Sequence, residues 1–191
     1  MDRETFWDIV ERARRAAGRE TVTAEGADAV ARHLVAELSV RSPAAIVSFE
    51  QAYDDVTFEG WRWDLWAAAY LMRGGCSDDG FDYFRGWLVA QGRAVWERAV
   101  ADPDSLADAG VDPDDDAVEC EAVLSAAGDA YAVATGAGTD AFWEALDAAD
   151  RAAPAQPAAP ADPAGEDFDF DDDEQMHARL PRLAAIHRPR E

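Results

Sequence analysis

The spacing of the apolar residues constrains this chain more than any other feature, because it follows the turn of an α-helix. Near the start, Phe6, Ile9, Val10 and Ala13 recur at intervals of three and four residues, which places them on one face of a helix. The same spacing predicts further helices that begin near Thr23, Ser42, Trp61, Asp78, Arg93, Val118 and Thr139. No segment shows sustained period-two alternation of β-branched residues, so strands would have to be few and short. The sequence therefore predicts an all-α fold.

Two tryptophan-rich helices in the middle of the chain are predicted to form the centre of the fold. The predicted helices Trp61–Arg73 and Asp78–Gln91 are joined by the short connection GGCS. Each has a wide apolar arc, which indicates burial from several sides. Gly74 can take the left-handed conformation that ends a helix, and Gly75 helps the chain to reverse. We expect a central buried helical hairpin within a single compact multi-helix domain.

Composition divides the chain into three parts. Residues 1–151 carry the helical stripes and have the size of one ordinary globular domain. Residues 152–165 read AAPAQPAAPADPAG, a composition typical of an extended linker. Residues 166–191 are acidic but regain apolar residues, namely Phe168, Phe170, Met176, Leu180, Leu183 and Ile186. We expect this C-terminal segment to dock on the domain as a short helix; the alternatives are a partner-binding peptide and plain disorder.

The charge balance restricts the partners and the location of the protein. The chain has 40 acidic and 17 basic residues, a formal net charge of -23, so a nucleic-acid backbone would be repelled. It contains no run of about 18 apolar residues, and its first residues lack the pattern of a signal peptide. Every basic residue other than histidine is arginine, which is typical of high-GC bacterial genomes. Cys76 and Cys120 have no disulfide-framework spacing. We expect a cytoplasmic protein with reduced thiols and neither nucleic acid nor membrane as a partner.

Polar and aromatic residues around the GGCS connection form a candidate ligand-binding site. The candidates are Asp64, Trp66, Asp78, Asp79, Asp82 and Arg85. Carboxylates on neighbouring helices could hold Mg²⁺ or act as acid and base. A structural interpretation competes with this one, because Ser77 can cap a helix whose first turn contains Asp78 and Asp79, where negative charge is favourable. Asp82 and Arg85 are three residues apart and can pair on one helix face.

The common motifs of catalysis and cofactor binding are missing from the sequence. It contains no G-x-S-x-G, H-E-x-x-H or CxxC, and no glycine-rich phosphate loop with its lysine. Cys76 precedes a predicted helix, where the helix dipole can stabilise a thiolate, but Asp78 and Asp79 would oppose that charge. The acidic runs from Asp112 and Asp167 lack the Gly and the Glu of an EF-hand loop. We expect no metal, no cofactor and no catalytic residue.

Three segments of the chain have a distinctive pattern. They are MDRETFWDIVERAR at the start, WDLWAAAYLMRGGCSDDGFDYFRGWLVAQGR in the middle and RLPRLAAI near the end. Together they resemble the bacterial family catalogued as domain of unknown function 4240, over nearly the whole chain except the Ala/Pro linker. The resemblance implies a cytosolic helical protein often found in high-GC bacteria, and it implies no activity, cofactor or catalytic residue. The similarity of the closing segment also favours docking of the C-terminal segment.

Three functions from different classes are compatible with these patterns. The first hypothesis is a non-enzymatic binding or regulatory module with an unknown protein partner, because catalytic motifs are missing and an acidic domain carries a tethered segment. The second is a small-ligand-binding protein or an enzyme with its site beside the GGCSDDGF turn. The third is an acidic mimic of nucleic acid, which would require acids regularly spaced over one face. The sequence leaves the ligand, the partner and the oligomeric state open.

Overall fold

Helices make up the secondary structure of this protein. The computed structural model describes residues 1–18, 21–112, 118–153 and 160–188. Within these ranges the helices are α1 (Arg3–Ala17), α2 (Ala24–Ser39), α3 (Pro43–Glu59), α4 (Trp63–Arg73), α5 (Asp78–Ala90), α6 (Arg93–Ala101), a 3₁₀ helix (Pro103–Asp108), α7 (Glu121–Thr135), α8 (Thr139–Ala152), α9 (Asp173–Arg179) and α10 (Pro181–His187). No strand forms in the described residues, so the prediction of an all-α fold is confirmed.

Short polar side chains fix where several helices begin. Asp2, Thr23, Ser42 and Ser77 each accept a backbone N–H from the first turn of the helix that follows. The Ser77 hydroxyl oxygen accepts the N–H of Gly80 at 3.2 Å, as the sequence predicts for the start of α5. Gly74 ends α4 with a φ of 64°, a left-handed conformation that favours glycine. The GGCS connection is therefore a helix stop followed by a helix cap.

Helix α5 lies at the centre of the fold, where it packs against α1, α2, α4, α6 and α7. Its side chains Phe81, Phe84 and Trp87 are fully buried. The indole N–H of Trp87 donates to the carbonyl oxygen of Val22 at 2.9 Å, so the polar atom of this buried ring is satisfied. Helix α4 is buried on one side, while its aromatic face, with Trp63, Trp66 and Tyr70, is half-buried.

A glycine allows α5 and α7 to approach closely. A Cβ atom at Gly86 would lie 2.5 Å from the carbonyl oxygen of Cys120 and 2.6 Å from Cδ1 of Leu124, which is closer than real contacts allow. Helix α7 also packs against α2, α3 and α8, and α3 packs against α8. These contacts bring one side each of α3, α5, α7 and α8 around a common cleft.

The C-terminal segment contacts the helices that precede it. Helix α10 packs against α4 and the 3₁₀ helix. Four apolar side chains of the segment are buried, namely Met176, Leu180, Leu183 and Ala184. The Asp104 carboxylate accepts the backbone N–H groups of Arg182 and Leu183, each at 3.0 Å, which satisfies the start of α10. Where one short helix was expected, two form, because Pro181 lacks the N–H that would continue α9 and instead begins α10.

Part of the predicted linker also contacts the domain. The backbone N–H of Ala164 donates to the oxygen of Trp61 at 2.8 Å, and the oxygen of Ala164 accepts the N–H of Trp63 at 3.0 Å. Residues 154–159 of the linker and residues 113–117, which belong to the acidic run from Asp112, lie outside the described residues. The division into domain, linker and C-terminal segment stays a prediction.

Candidate functional site

The six residues selected from the sequence do not converge on one point. The Asp64 carboxylate accepts a hydrogen bond from Nη1 of Arg179 in α9 at 3.2 Å. Asp78 and Asp79 lie in the first turn of α5, where they are exposed and stabilise the helix through its dipole. Asp82 forms an ion pair with Arg85 one turn further along the same helix, as the spacing predicts. Asp64 and Arg85 are therefore paired with different partners.

Trp66 belongs to a layer of aromatic rings. Its ring stacks on Phe81 with centroids 5.0 Å apart and on Trp63 with centroids 5.8 Å apart. Its indole N–H donates to the carbonyl oxygen of Cys76 at 3.1 Å. Phe170 of the C-terminal segment covers the layer, with its centroid 6.5 Å from that of Trp66. The ring of Trp66 is thus engaged in packing on both faces.

Asp82 and Arg85 are the two predicted residues that line a cleft between α3, α5, α7 and α8. The cleft has a volume of about 260 Å³. Its lining residues are Glu50, Tyr53, Asp54, Thr57, Asp82, Arg85, Leu124 and Trp143. Helix α3 contributes the first four of these, which share one face of the helix because they are three or four residues apart. The cleft lies on the α3 side of α5, and no residue of the GGCS connection lines it.

Arg85 is held in place by groups on three sides. Its Nη1 donates to the carbonyl oxygen of Thr57 at 2.9 Å, and its Nη2 donates to the Asp82 carboxylate. The guanidinium carbon lies 5.3 Å from the ring centroid of Trp61 and 5.1 Å from that of Phe81, within the range of cation–π attraction. The positive charge of Arg85 is therefore already neutralised by Asp82.

Glu50 is the most unusual residue in the cleft. It is only 6% exposed, and within the described part of the chain its carboxyl has no hydrogen bond or ion pair. Burial, followed by the negative charge of Asp54, raises the pKa of Glu50 to about 8. A carboxyl in this position is mostly protonated at pH 7, because ionisation without a partner in a desolvated site is costly.

Two neighbours on α3 line the same cleft, Tyr53 as a buried residue and Asp54 as an exposed one. Desolvation, followed by the negative charges of Asp150 and Asp55, raises the pKa of Asp54 to about 6, although Asp54 lies at the open side of the cleft. Burial, followed by the charge of Glu50, raises the pKa of Tyr53 well above its ordinary value. At neutral pH the cleft therefore presents a neutral phenol, a mostly protonated Glu50 and a mostly ionised Asp54.

Trp143 and Leu124 provide the apolar part of the cleft. Trp143 is 53% exposed, although it is one of the apolar residues that predict α8, which are Phe142, Trp143, Leu146 and Ala149. The core position is taken by its neighbour Phe142, which is buried and contacts Tyr131. Because two adjacent helical residues point in directions about 100° apart, only one of the pair can face the core. Asp82 and Arg85 also line a shallower depression of about 330 Å³, with Phe58, Trp61, Pro160 and Ala161.

A larger groove between α3, α7 and α8 offers less chemistry. It has a volume of about 430 Å³ and is lined mostly by alanine, proline and valine side chains, with Tyr131 at one wall. Its polar residues are Ser48 and Gln51, and Gln51 donates to the Asp150 carboxylate at 2.8 Å. The groove has no buried ionisable side chain among its lining residues. We therefore take the Glu50 cleft as the candidate site.

The two cysteines and the possible metal ligands were the other candidates for chemistry in the described residues. Burial raises the pKa of the half-buried Cys76 thiol despite the nearby Arg73, and burial raises that of Cys120 to about 12. Such thiols are poor nucleophiles at neutral pH. No group of three histidine, cysteine, aspartate or glutamate side chains in these ranges could hold a metal ion.

Sequence reasoning missed Glu50, Tyr53 and Asp54 as site residues. The apolar stripe of α3 includes Ile46, Val47 and Tyr53, and Glu50 lies four residues after Ile46 on the same face. A charged residue inside an apolar stripe is the signal that could have found the site, because such a side chain is buried when the helix packs.

Fold and cleft together define an all-α protein with a small acidic cleft between four helices. The chain belongs to the family described as Protein of unknown function (DUF4240), whose pattern matches residues 1–133. This match contains every cleft residue except Trp143, and the similarity of the closing segment lies beyond it. Neither the curated proteins nor the solved structures include a match to the chain. Within the ranges that the structure describes, no helix is long and apolar enough to cross a membrane.

Proposed function

We propose that this protein is a non-enzymatic binding module of the bacterial cytoplasm that holds a small ligand in the Glu50 cleft. The proposal keeps the binding class favoured by the sequence. It moves the site from the GGCSDDGF turn to the side of α5 that faces α3. A net charge of -23 disfavours nucleic acid as a partner, and the proposal includes none.

The observation that carries the proposal is the unpartnered carboxyl of Glu50 at the wall of an open cleft. The Glu50 side chain is nearly buried, but its carboxyl oxygens are not among the fully buried polar atoms that lack a partner, so they reach the space of the cleft. A carboxyl that lines a cleft and has no protein partner is available to a ligand, which can supply that partner. The cleft is open enough to admit one, and its wall combines polar groups with the indole of Trp143, as small-molecule sites do.

The residues selected from the sequence have different roles in this proposal. Asp82 and Arg85 would contact the ligand, because both line the cleft. Asp64 and Trp66 would support the site indirectly, by holding the C-terminal segment and the ring of Phe81. Asp78 and Asp79 would stabilise the start of α5. The burial of the C-terminal segment's apolar residues leaves it fewer groups with which to bind a separate protein partner.

An enzymatic function is the second candidate, because Glu50 and Asp54, one turn apart on α3, both line the cleft and could act as acid and base. Glu50 and Asp54 have pKa values of about 8 and about 6, on either side of neutrality, where acid–base catalysis is most efficient. The same pair would suit a binding site whose protonation changes when a ligand enters. Chemical conversion of a bound compound would separate the enzyme from the binding module.

The test is a ligand screen by nuclear magnetic resonance on the full chain, with a library that contains cations, anions and neutral compounds in equal numbers. We expect binders to shift the Thr57 and Leu124 methyl signals and the Trp143 indole signal together, while the Leu183 methyl signal in α10 stays in place. Recovery of each binder unchanged would support the non-enzymatic function. A library in which no compound shifts the three cleft signals together would overturn the proposal.

A further inference from the structure

Carboxyl groups outnumber cations around the cleft, and this imbalance indicates the kind of ligand. Three carboxyl groups line it, on Glu50, Asp54 and Asp82, against the single cation of Arg85. Arg85 is committed to Asp82 and to the backbone of Thr57. In the ranges that the structure describes, neither Glu50 nor Asp54 has a cationic partner. The groups left for a ligand are therefore mainly two carboxyl groups, which are acceptors without a donor when they are ionised.

We propose that the ligand is an organic cation, a primary amine with an apolar body. This inference rests on the small-ligand site proposed above. An ammonium group has three donors and no acceptor, which complements the two carboxyl groups once both are ionised. The buried Nε of Arg85 also has no partner, but an anion drawn to that single donor would face three carboxyl groups. The apolar body of the amine would lie against Leu124 and the exposed ring of Trp143.

A metal ion fits the cleft less well than an amine does. The described residues contain no group of three ligating side chains around one point, whereas divalent cations require several close oxygen ligands. One or two carboxyl groups and an aromatic ring are sufficient for an ammonium ion, which also gains from the face of an indole. The volume of about 260 Å³ is slightly below the range of drug-sized sites, so the amine is small.

Binding of an amine would be coupled to release of a proton. A positive charge beside Glu50 favours the ionised carboxylate and lowers the pKa of that group. Because the free carboxyl has a pKa of about 8, binding near pH 7 displaces close to one proton. Affinity for the amine is therefore expected to rise as the pH increases from about 6 to about 8, where an alkylammonium group stays charged. A merely structural role of Glu50 would not give this linkage.

The experiment compares three probes of similar shape by isothermal calorimetry on the full chain. The probes are 2-phenylethylamine, 2-phenylethanol and 3-phenylpropionate, which carry positive, zero and negative charge. At pH 8 we expect the amine to bind at least about tenfold more tightly than the alcohol, and the carboxylate not to bind. Titrations at pH 7 in buffers of different ionisation enthalpy are expected to show release of close to one proton for the amine and of none for the alcohol.

Two variants connect the result to the cleft. Glu50→Gln keeps the shape of the side chain and is expected to weaken amine binding about tenfold, to abolish proton release and to weaken binding of the alcohol by a smaller factor. Glu144→Gln makes the same atomic change at an exposed position of α8, and we expect wild-type behaviour. Amine binding of equal strength and equal proton release in Glu50→Gln would overturn the assignment.

The remaining outcomes separate the ligand class from the proposed function. If the alcohol or the carboxylate binds as tightly as the amine and shifts the Thr57, Leu124 and Trp143 signals, the cation assignment is overturned while the small-ligand site stands. If no probe binds and the broader screen is also silent, both proposals are overturned. Selective binding of the amine with loss of proton release in Glu50→Gln supports both.

Discussion

At the scale of single residues, the buried carboxyl of Glu50 makes the stability of the protein depend on pH. The pKa of Glu50 is about 8 in the folded chain against an ordinary value of 4.5. Below pH 4.5 both states are protonated and the group contributes no difference. As the pH rises towards 8 the unfolded chain loses this proton while the folded chain keeps it, so this contribution to the free energy of unfolding falls. Each unit of pKa difference is worth about 1.4 kcal/mol.

Replacing Glu50 with Gln removes this penalty, because the amide is neutral in both states. We expect Glu50→Gln to match the wild type within about 0.5 kcal/mol near pH 4.5 and to exceed it by about 2 kcal/mol or more near pH 8. Urea unfolding at several pH values measures the difference. Glu144→Gln, which removes an exposed carboxylate, provides the control. A constant difference between Glu50→Gln and the wild type across this range would contradict the burial argument.

Two tryptophans are predicted to separate packing from binding. Trp87 is fully buried with its N–H satisfied by Val22, so Trp87→Ala is expected to lower the free energy of unfolding by about 3–5 kcal/mol. Trp143 is 53% exposed, so Trp143→Ala is expected to cost less than about 1 kcal/mol but to weaken binding of an aromatic amine. Urea unfolding and calorimetry measure the two effects. Equal loss of stability in both variants would contradict the distinction.

The sequence could predict most of the apolar residues that each helix buries. It could not predict which polar residues are buried beside them. The burial of Phe84 follows from the apolar stripe of α5, and that of Trp87, which lies beside the stripe, follows from the wide apolar arc of the same helix. Glu50 lies inside an equivalent stripe of α3, but its burial depends on α7 and α8 packing against that face, and helix order cannot be derived from periodicity. The exposure of Trp143 has the same origin, because Phe142 and Trp143 compete for one core position.

At the scale of the elements, the approach of α5 to α7 depends on Gly86. A Cβ there would lie 2.5 Å from a backbone oxygen, so the helices would have to separate. We expect Gly86→Ala to destabilise the protein by about 1–3 kcal/mol, despite the better helix propensity of alanine. It should also widen the cleft at Leu124, because that side chain lies 2.6 Å from the added atom. Thermal unfolding and the Leu124 methyl signal report the two effects.

Gly128 provides the matched control within α7. A Cβ at Gly128 would meet its nearest neighbour, the ring of Phe142, at 3.4 Å, which is an ordinary contact. Gly128→Ala is therefore expected to be neutral or to stabilise the protein by up to about 1 kcal/mol, from helix propensity. If Gly86→Ala and Gly128→Ala lowered the free energy of unfolding by the same amount, the close approach at Gly86 would not explain the loss.

Local rules determine most helix ends but leave some breaks open. Ser42 with Pro43, and Ser77 with its two aspartates, mark the starts of α3 and α5 in the sequence. The sequence does not predict the 3₁₀ helix at Pro103–Asp108. Pro103 indicates only that α6 ends before it, because proline disfavours helical geometry in the preceding residue. The position of the 3₁₀ helix matters for the whole chain, since Asp104 lies within it and binds the start of α10.

At the scale of the whole molecule, the C-terminal segment is held by contacts between residues far apart in the chain. Arg179 pairs with Asp64 at 3.2 Å across 115 positions, and the Tyr70 hydroxyl donates to the Asp171 carboxylate at 2.7 Å across 101 positions. The sequence indicated that the segment could dock, from its apolar residues. It could not indicate the partners, because the intervening linker allows many geometries. These contacts hold Phe170 against the aromatic layer around Trp66. Trp66 in turn packs on Phe81, and Phe81 contacts Arg85 beside the cleft.

Asp104 offers a way to release the segment without removing it. The carboxylate is 8% exposed and accepts two backbone N–H groups of α10. Asp104→Ala leaves those donors unpaired, at a cost of about 1–3 kcal/mol, and we expect faster hydrogen exchange in residues 181–187 while α2 and α7 keep their protection. Asp108→Ala removes only an exposed ion pair with Arg182, so its exchange is expected to stay close to that of the wild type. If α10 and α7 lost protection together in Asp104→Ala, the segment would unfold with the domain as one unit, and independent docking would be wrong.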